Sequence, residues 1–324
     1  MKRVILTGAA GFVGANLAHR LLREGHEVHL LVRPGGDRWR LGGIGSHVVF
    51  HEASLGDRRK LSEIVSAAKP EWIFHLAAHG AYSWQTDAAR MVETNVTGTI
   101  NLLEVCLERG FEAFINTGSS SEYGFKDHPP SERDWLEPNS CYAVTKAAGT
   151  QYCRYAARRG NAHVVTLRLY SVYGPYEAPG RLIPALVLNG FKGALPPLAA
   201  PEVARDYVYV DDVCDAYLLA ASRRETERGA VYNVGTGTQT TLREAVEIAR
   251  KELRVRAEPE WGAMRNRSWD TSSWVADNRL IHTQLGWRPL FDFAAGFHKT
   301  AEWFSGHPDL LGFYGRSAGE VRRR

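Results

Sequence analysis

Residues 8–14 read Gly8-Ala9-Ala10-Gly11-Phe12-Val13-Gly14, and this stretch decides the fold of the 324-residue chain. The short aliphatic run before it, residues 2–7, predicts a buried strand, and the leucines of residues 15–23 recur at helical spacing. Three glycines spaced three apart between a strand and a helix leave backbone N–H groups and the helix N-terminus bare. The stretch therefore predicts a strand, a turn and a helix that together bind the pyrophosphate of a dinucleotide.

Strand-like and helical segments continue to alternate after this unit. Strands are predicted at residues 27–32, 72–76 and 113–117, and helices at residues 61–68 and 94–109. Such alternation is typical of a parallel sheet that is covered on both faces and joined by right-handed crossovers. The predicted fold class is α/β, a Rossmann-type doubly wound parallel sheet with a smaller C-terminal substrate-binding α/β region.

The second half of the chain has a different character. After Gly174-Pro175 the alternation ends, and the prolines that follow indicate loops and short elements that shape a pocket. We predict that residues 1–170 form the dinucleotide-binding domain and that residues 206–235 return to it. Residues 171–205 and 236–315 then form the region that binds the second ligand.

Composition and charge limit the classes of function. The 40 basic and 36 acidic residues are spread along the chain, and no block of like charge indicates a nucleic-acid partner. The four cysteines form no C-x-x-C pair and have no histidine at metal-ligand spacing, so we expect a cytoplasmic protein without a metal. No run of about 18 apolar residues predicts a membrane span.

The end of the second predicted strand bears on the choice of nicotinamide cofactor. A carboxylate there would bind the ribose 2′-hydroxyl of NAD and repel the 2′-phosphate of NADP. The chain instead has Val32-Arg33, and Arg38 and Arg40 follow in the next loop. A guanidinium binds phosphate through two hydrogen bonds, whereas a surface arginine can also be merely solvated. Arg33 and Arg38 therefore predict NADP, with NAD as the alternative.

Tyr142 and Lys146 lie four residues apart, which places them about one turn apart on one face of a helix. A tyrosine with a pKa of about 10 is a poor base, but a lysine charge and the positive nicotinamide would favour its phenolate. The phenol could accept a proton from a sugar hydroxyl or return one to a ketone. Upstream, Thr117–Gly124 is a turn rich in serine that could hydrogen-bond the reacting oxygen. An ordinary exposed pair of side chains is the alternative interpretation.

These motifs together resemble the extended short-chain dehydrogenase/reductase family, in its group of nucleotide-sugar epimerases, dehydratases and 4-ketoreductases. The resemblance covers nearly the whole chain and includes Phe74-His75-Leu76-Ala77-Ala78, Asn95-Val96-Thr97-Gly98-Thr99, Tyr173-Gly174-Pro175, residues 205–212, Tyr232-Asn233-Val234-Gly235 and Leu285-Gly286-Trp287-Arg288-Pro289. It implies a nucleotide-linked sugar as substrate and a homodimer.

The resemblance also implies the residues of the site. Ser119 would take the place of the catalytic Ser or Thr, Tyr142 would be the acid and base, and Lys146 would hold the nicotinamide ribose. The expected cofactor-binding residues are Gly8, Gly11, Phe12, Val13, Gly14, Arg33, Arg38, Leu55, Leu76, Ala77, Ala78, Asn95, Tyr142 and Lys146. The expected substrate-binding residues are His79, Ser120, Ser121, Ser171, Arg181, Arg205 and Arg267, of which Arg205 and Arg267 would clamp the diphosphate.

The chain departs from the family at positions that bear on the reaction. Its 4,6-dehydratases carry an Asp-Glu pair that eliminates water, where this chain has Ser120-Ser121 with Glu122 next door. Ser54-Leu55 replaces an Asp-Leu or Asp-Ile near the adenine, and Ser171 replaces an Asn. Tyr82 and Trp84 follow a strand end where the sugar would lie, and they either cover the sugar ring or pack in the core.

These departures favour a reductase. Many 4-epimerases of the family carry the acid that Val32-Arg33 lacks and keep NAD bound, whereas Glu122-Tyr123-Gly124 after serines resembles the GDP-6-deoxymannose reductases. The leading hypothesis is an NADPH-linked reductase of a 4-keto-6-deoxy sugar nucleotide. The alternatives are a nucleotide-sugar 4-epimerase with retained NAD and a non-catalytic NADP-sensing protein, although such sensors often lose the Tyr/Lys pair.

Overall fold

The structure is a computed structural model and describes residues 1–264 and 271–321. Its strands are β1 (Arg3–Thr7), β2 (Glu27–Val32), β3 (Val49–Glu52), β4 (Trp72–His75), β5 (Ala113–Ser119), β6 (Val164–Leu169), β7 (Ser171–Tyr173), β8 (Ala204–Arg205), β9 (Tyr207–Tyr209), β10 (Val231–Val234) and β11 (Thr240–Thr241). Seven of them form one parallel sheet in the order β10-β6-β5-β4-β1-β2-β3. The chain therefore builds this sheet outward in two directions from β1.

Helices cover both faces of this sheet. They are α1 (Phe12–Arg23), α2 (Arg58–Ala68), α3 (Ala88–Val92), α4 (Gly98–Arg109), α5 (Cys141–Gly160), α6 (Leu182–Gly190), α7 (Val210–Ser222), α8 (Leu242–Leu253), α9 (Arg279–Leu285), α10 (Phe293–Gly306) and α11 (Pro308–Val321). Successive strand residues point to opposite faces, so Val4 and Leu6 pack with α1 and α7, while Ile5 packs with α2, α4 and α5. Within the two described ranges, none of these helices has the length and apolarity to cross a membrane.

The strand order reverses between β1 and β4. The chain moves from β1 to β2 and β3 on one side, and from β4 to β5 and β6 on the other. In open α/β sheets, ligands bind in the crevice that such a reversal opens at the carboxyl ends of the strands. The predicted doubly wound fold is confirmed, and the glycine turn after β1 lies at this crevice.

A smaller region stands at the same edge of the sheet. Its β7 begins two residues after β6 ends and pairs in parallel with β9, while β8 pairs antiparallel with β11. A separate apolar core built from α6, α8 and α10 supports these short strands, with Leu186, Val246 and Phe297 fully buried in it. Residues 171–209 are thereby held beside the carboxyl ends of β4, β5 and β6.

His75 ends β4 and anchors a chain of buried hydrogen bonds. The Ala77 N–H donates to Thr7 Oγ1 (3.2 Å), and Thr7 Oγ1 lies 2.8 Å from His75 Nδ1. On the other side His75 Nε2 lies 2.9 Å from Thr99 Oγ1, which donates to the Asn95 carbonyl oxygen. Since the Thr99 hydroxyl proton is committed, Nε2 donates to Thr99 Oγ1, and in the neutral ring Nδ1 then accepts from the Thr7 hydroxyl. Burial lowers the pKa of His75 to about 3.

This neutral histidine makes the stability depend on pH. Below about pH 6.5 the unfolded chain binds a proton at His75 that the folded chain refuses, so the free energy of unfolding falls as the pH falls toward 3. We expect wild type to lose about 2 kcal/mol more than His75→Gln between pH 7.5 and pH 5. Urea unfolding at the two pH values measures this difference, and equal losses in both proteins would contradict it.

Candidate active site

The glycine turn after β1 fits tightly between β4 and α1. Gly8 has φ of 71°, and a Cβ atom there would lie 2.5 Å from the Leu76 carbonyl carbon and 2.6 Å from the Ala77 nitrogen. A Cβ atom on Gly14 would lie 2.2 Å from the Gly8 carbonyl oxygen. Gly11, the N-cap of α1, makes no side-chain capping bond, so the first N–H groups of the helix are open. The turn therefore fits a pyrophosphate at its helix N-terminus.

The three arginines after β2 differ in what they contact. Arg33 is exposed, and its guanidinium makes no hydrogen bond or ion pair with any residue the structure describes. Arg38 forms an ion pair with Glu52 and lies over the Phe50 ring. Arg40 donates to the main-chain oxygens of Tyr176 (2.7 Å) and Ala10 (3.2 Å). Arg33 is thus open to a ligand, Arg38 is already paired, and Arg40 ties the loop to the glycine turn.

Ser119 and Tyr142 meet at the carboxyl end of β5. The Ser140 hydroxyl caps α5 by accepting from the Ala143 N–H (3.2 Å), which sets Tyr142 in the first turn of that helix. Burial raises the pKa of Tyr142 to about 12, while a hydrogen bond with Ser119 and the charge of Arg181 lower it. The phenol therefore holds its proton in the free protein and shares a hydrogen bond with the serine.

Lys146 lies one turn further along α5. It is 5% exposed and makes no hydrogen bond or ion pair within the described ranges. Burial lowers the pKa of its ammonium, and the nearby carboxylate of Glu122 raises it. A buried cation without a direct partner is costly unless a ligand supplies acceptor oxygens. This geometry suits the expected bond to the cofactor ribose.

Glu122 and Arg168 form a buried ion pair under the serine turn, Ser119–Tyr123. Arg168 Nε lies 2.9 Å from Glu122 Oε2, and the two side chains are 1% and 0% exposed. Glu122 Oε1 accepts from the Ser119 N–H (2.9 Å) and from Thr150 Oγ1 (3.0 Å). Oε1 of Glu122 therefore holds the main chain of Ser119, while Oε2 is held by Arg168. Sequence reasoning had left Glu122 open as an acid and had not singled out Arg168.

The C-terminal region contributes Trp274 to this turn. Its indole N–H donates to Ser120 Oγ (3.2 Å), and the Arg205 guanidinium lies 5.7 Å from the centre of the indole ring. Ser171 begins β7 and pairs with Tyr207, the first residue of β9, which follows Arg205 by two residues. The structure thus brings Ser120, Ser171 and Arg205 together at one edge. Arg267 lies outside the described residues.

Asn95 fixes the loop after β4. It lies in a π-helical turn, Glu93–Thr97, between α3 and α4. Its Oδ1 accepts from the His79 N–H (2.8 Å), and its Nδ2 donates to the His79 carbonyl (2.8 Å) and to Thr145 Oγ1 (2.9 Å). The amide is therefore engaged with the protein, and its contact with a cofactor stays a prediction, as does that of Leu55, which is buried against Gly98.

The aromatic loop lies over the site. Tyr82 and Trp84 stack with ring centres 4.5 Å apart, and Trp84 is 47% exposed, so the pair does not belong to the core. Arg181 lies 5.8 Å from the centre of the Tyr82 ring and 3.7 Å from Glu177. Arg181 lowers the pKa of Tyr142 and Tyr82 raises it, so both side chains lie near the phenol.

Residues 4–235 match the sequence pattern of the NAD dependent epimerase/dehydratase family, which is more than two thirds of the chain. The chain belongs to this family. It is 32% identical to the UDP-glucose 4-epimerase of Mycolicibacterium smegmatis, over 93% of this chain and 98% of the relative. It is 26% identical to the dTDP-glucose 4,6-dehydratase 1 of Escherichia coli, over 93% and 92% of the two chains.

A solved structure of the epimerase/dehydratase family agrees with this fold. The Thermus thermophilus UDP-glucose 4-epimerase, in complex with NAD, shares 29% identity and a TM-score of 0.82, and the match covers 94% of this chain and 99% of that one. The predicted resemblance is confirmed, and the protein is an enzyme of the NAD dependent epimerase/dehydratase family. The two relatives are a 4-epimerase and a 4,6-dehydratase, so membership of the family does not determine which reaction this chain catalyses.

Proposed function

We propose that this enzyme is an NADPH-linked reductase of a 4-keto-6-deoxy sugar carried by a nucleotide. The observation that carries the proposal is the end of β2, where buried Val32 and an Arg33 with no partner among the described residues replace the carboxylate that would select NAD. A guanidinium with no protein partner suits a 2′-phosphate. An enzyme that consumes reducing equivalents gains from NADPH, whereas an epimerase returns its hydride in each cycle.

Elimination of water is disfavoured by the serine turn. Ser120 and Ser121 stand where the dehydratases of the family have carboxylic acids, and neither hydroxyl suits general acid and base work at neutral pH. The carboxylate that follows these serines, Glu122, is buried and hydrogen-bonded to Arg168, Thr150 and the main chain of Ser119. The site therefore keeps the residues for redox chemistry at a carbinol or ketone carbon and lacks those for dehydration.

The residues divide the reaction between them. Tyr142 donates its proton to the C4 ketone oxygen, Ser119 hydrogen-bonds that oxygen, and the phenolate regains a proton from solvent. Lys146 would hold the nicotinamide ribose of NADPH, which, when bound, would supply the hydride for C4. Because the pKa of Tyr142 is about 12 in the free protein, the phenol starts each cycle in the protonated form that reduction needs.

Residues of the C-terminal region would hold the nucleotide sugar, with residues 171–205 and 236–315 as its binding region. The proposed contacts are those of His79, Ser120, Ser121, Ser171, Arg181 and Arg205. We also propose a homodimer and a cytoplasmic location, which the free cysteines Cys106, Cys141, Cys153 and Cys214 support. Sedimentation velocity would test the dimer.

A 4-epimerase with retained NAD is the second candidate. The ion pair of Arg38 with Glu52 favours it, because this pair leaves one arginine instead of two for a phosphate. The 32% identity to a UDP-glucose 4-epimerase points the same way. A non-catalytic sensor is disfavoured, since the hydrogen bond between Ser119 and Tyr142 is intact.

Cofactor content separates the two candidates. The purified protein is heat-denatured, released nicotinamide nucleotides are quantified, and the emptied protein is titrated with NADPH and NADH. We expect a site that is empty or holds NADP, prefers NADPH, and oxidises NADPH when given 4-keto-6-deoxy sugar nucleotides. Near-stoichiometric NAD, with interconversion of a UDP-hexose and its 4-epimer, would overturn the reductase.

Charge reversal at Arg33 should change cofactor preference. Arg33→Asp places a carboxylate after β2, so it removes a charge-assisted bond to the 2′-phosphate and repels it. We expect the Kd for NADPH to rise by about 10- to 100-fold, with little change for NADH. Fluorescence titration measures both constants. Arg38→Gln is the matched control, and its smaller effect follows from the bond to Glu52; an unchanged Kd in Arg33→Asp would contradict the assignment.

A further inference from the structure

A small cavity lies beside the serine turn. Its volume is about 10 Å³, enough for about one water molecule or one hydroxyl group. Ser120, Tyr123, Tyr170 and Trp274 line it, together with residues of the 124–130 loop. The catalytic turn forms one wall of this cavity, and the C-terminal region forms the opposite wall.

The hydroxyl of Tyr170 has no hydrogen-bond partner among the residues that the structure describes. Tyr170 is 7% exposed, and its hydroxyl is fully buried without a hydrogen bond to any described residue. Its neighbour Tyr123 differs, since that hydroxyl accepts from Arg168 Nη1 (2.8 Å) and donates to Asn233 Oδ1 (2.7 Å). A buried hydroxyl left unpaired costs stability, and native proteins keep few of them. The unpaired phenol therefore points to a ligand that supplies its partner.

The partner must be an acceptor oxygen. Burial raises the pKa of Tyr170, and the nearby Asp206 and Glu132 raise it further, so the phenol keeps its proton and can donate it. Arg168, the cation that opposes this effect, is already bound to Glu122 and Tyr123. A hydroxyl or carbonyl oxygen of a sugar meets this requirement.

The cavity lies next to Ser119, the residue that would contact the reacting oxygen. Ser120, which lines it, directly follows Ser119, the hydrogen-bond partner of Tyr142. Consecutive Cα atoms are about 3.8 Å apart, so the cavity wall at Ser120 lies within reach of a sugar ring whose reacting oxygen contacts Ser119. The cavity has room for one small group, and the indole of Trp274, which is bonded to Ser120, forms part of its wall. A substituent next to the reacting carbon is therefore the group that reaches Tyr170.

We propose that Tyr170 is a substrate-binding residue whose hydroxyl donates a hydrogen bond to the oxygen on the hexose carbon next to the reacting carbon. This inference rests on the proposed function for the identity of that oxygen. In a 4-keto-6-deoxyhexose it is the 3-hydroxyl, because C5 bears only a methyl group besides its ring bonds. Tyr170 thereby selects hexoses that keep the 3-hydroxyl over their 3-deoxy counterparts.

The test removes the Tyr170 hydroxyl and the sugar 3-hydroxyl, first separately and then together. A thermal-shift screen with UDP-, dTDP-, CDP- and GDP-glucose identifies the preferred nucleotide, and calorimetry then gives the Kd of that sugar and of its 3-deoxy form. We expect wild type to bind the 3-hydroxyl sugar about 3- to 10-fold more tightly, and Tyr170→Phe to bind both forms equally. The melting temperature of Tyr170→Phe should equal or exceed that of wild type, since no protein bond is lost.

Tyr123→Phe is the matched control, because Tyr123 lines the same cavity but its hydroxyl is bonded to Arg168 and Asn233. We expect it to lower the melting temperature and to keep the preference for the 3-hydroxyl. The proposal is overturned if Tyr170→Phe binds the 3-hydroxyl sugar with the wild-type Kd, or if it binds both sugars more weakly by the same factor. It is also overturned if the wild-type protein binds none of the four nucleotide sugars. Calorimetry measures binding without turnover, so it tests the role of Tyr170 alone. The reductase proposal is tested separately, and an absence of NADPH oxidation would contradict it.

Discussion

Tyr142→Phe is expected to lose about 100- to 10,000-fold in turnover while it binds cofactor and nucleotide sugar nearly as wild type does. Tyr142 shares a hydrogen bond with Ser119 at the end of β5, so its phenol is placed to give a proton to the oxygen that Ser119 contacts. Phenylalanine keeps the ring and its packing but has no proton to give. Stopped-flow measurement of hydride transfer, with titration of NADPH and substrate, separates loss of chemistry from loss of binding.

Tyr155→Phe is the control for this experiment. Tyr155 lies on the same helix, α5, but its side chain is on the exposed outer face beside Tyr152 and Arg159. We expect this variant to keep wild-type turnover. Retention of most activity by Tyr142→Phe would show that another group supplies the proton, and the assignment of the acid would be wrong.

Local patterns were sufficient to predict the fold. The glycine turn, the aliphatic strands and the leucine spacing of α1 are each visible within a few residues, because strand and helix periodicities are local properties. The steric need for Gly8 and Gly14 follows from the same turn, where Cβ atoms would meet backbone. The family resemblance then placed Ser119, Tyr142 and Lys146, and the structure brings the first two into contact.

Contacts between side chains that are far apart in the sequence were not predictable in this way. Arg38 was predicted as a phosphate ligand on its own, yet Glu52 lies beside Val32 in the sheet and forms an ion pair with Arg38. The bond from Trp274 to Ser120 spans 154 positions, and that of Arg168 to Glu122 spans 46. Such contacts depend on strand register and on how the C-terminal region folds back, which one sequence does not encode in any short motif.

Arg168→Leu is expected to lower the free energy of unfolding by about 3 to 5 kcal/mol. The substitution leaves the Glu122 charge buried with only the Ser119 N–H and the Thr150 hydroxyl as partners. It also removes the donor that the Tyr123 hydroxyl accepts from. Because Glu122 holds the main chain of Ser119, turnover should fall as well. Urea unfolding, monitored by tryptophan fluorescence, measures the loss.

Two further variants test whether burial of the ion pair causes the loss of stability in Arg168→Leu. Arg159→Leu breaks the ion pair with Glu104 on the surface, where the arginine is 44% exposed, and we expect a loss of less than about 1 kcal/mol. The double variant Glu122→Leu/Arg168→Leu removes both charges and should be more stable than Arg168→Leu alone, since the Glu122 carboxylate is no longer buried without its cation. Its turnover should stay low, because Ser119 has lost its anchor. An Arg168→Leu protein that unfolds at the wild-type urea concentration would show that solvent reaches this pair, and the serine turn would then need another support.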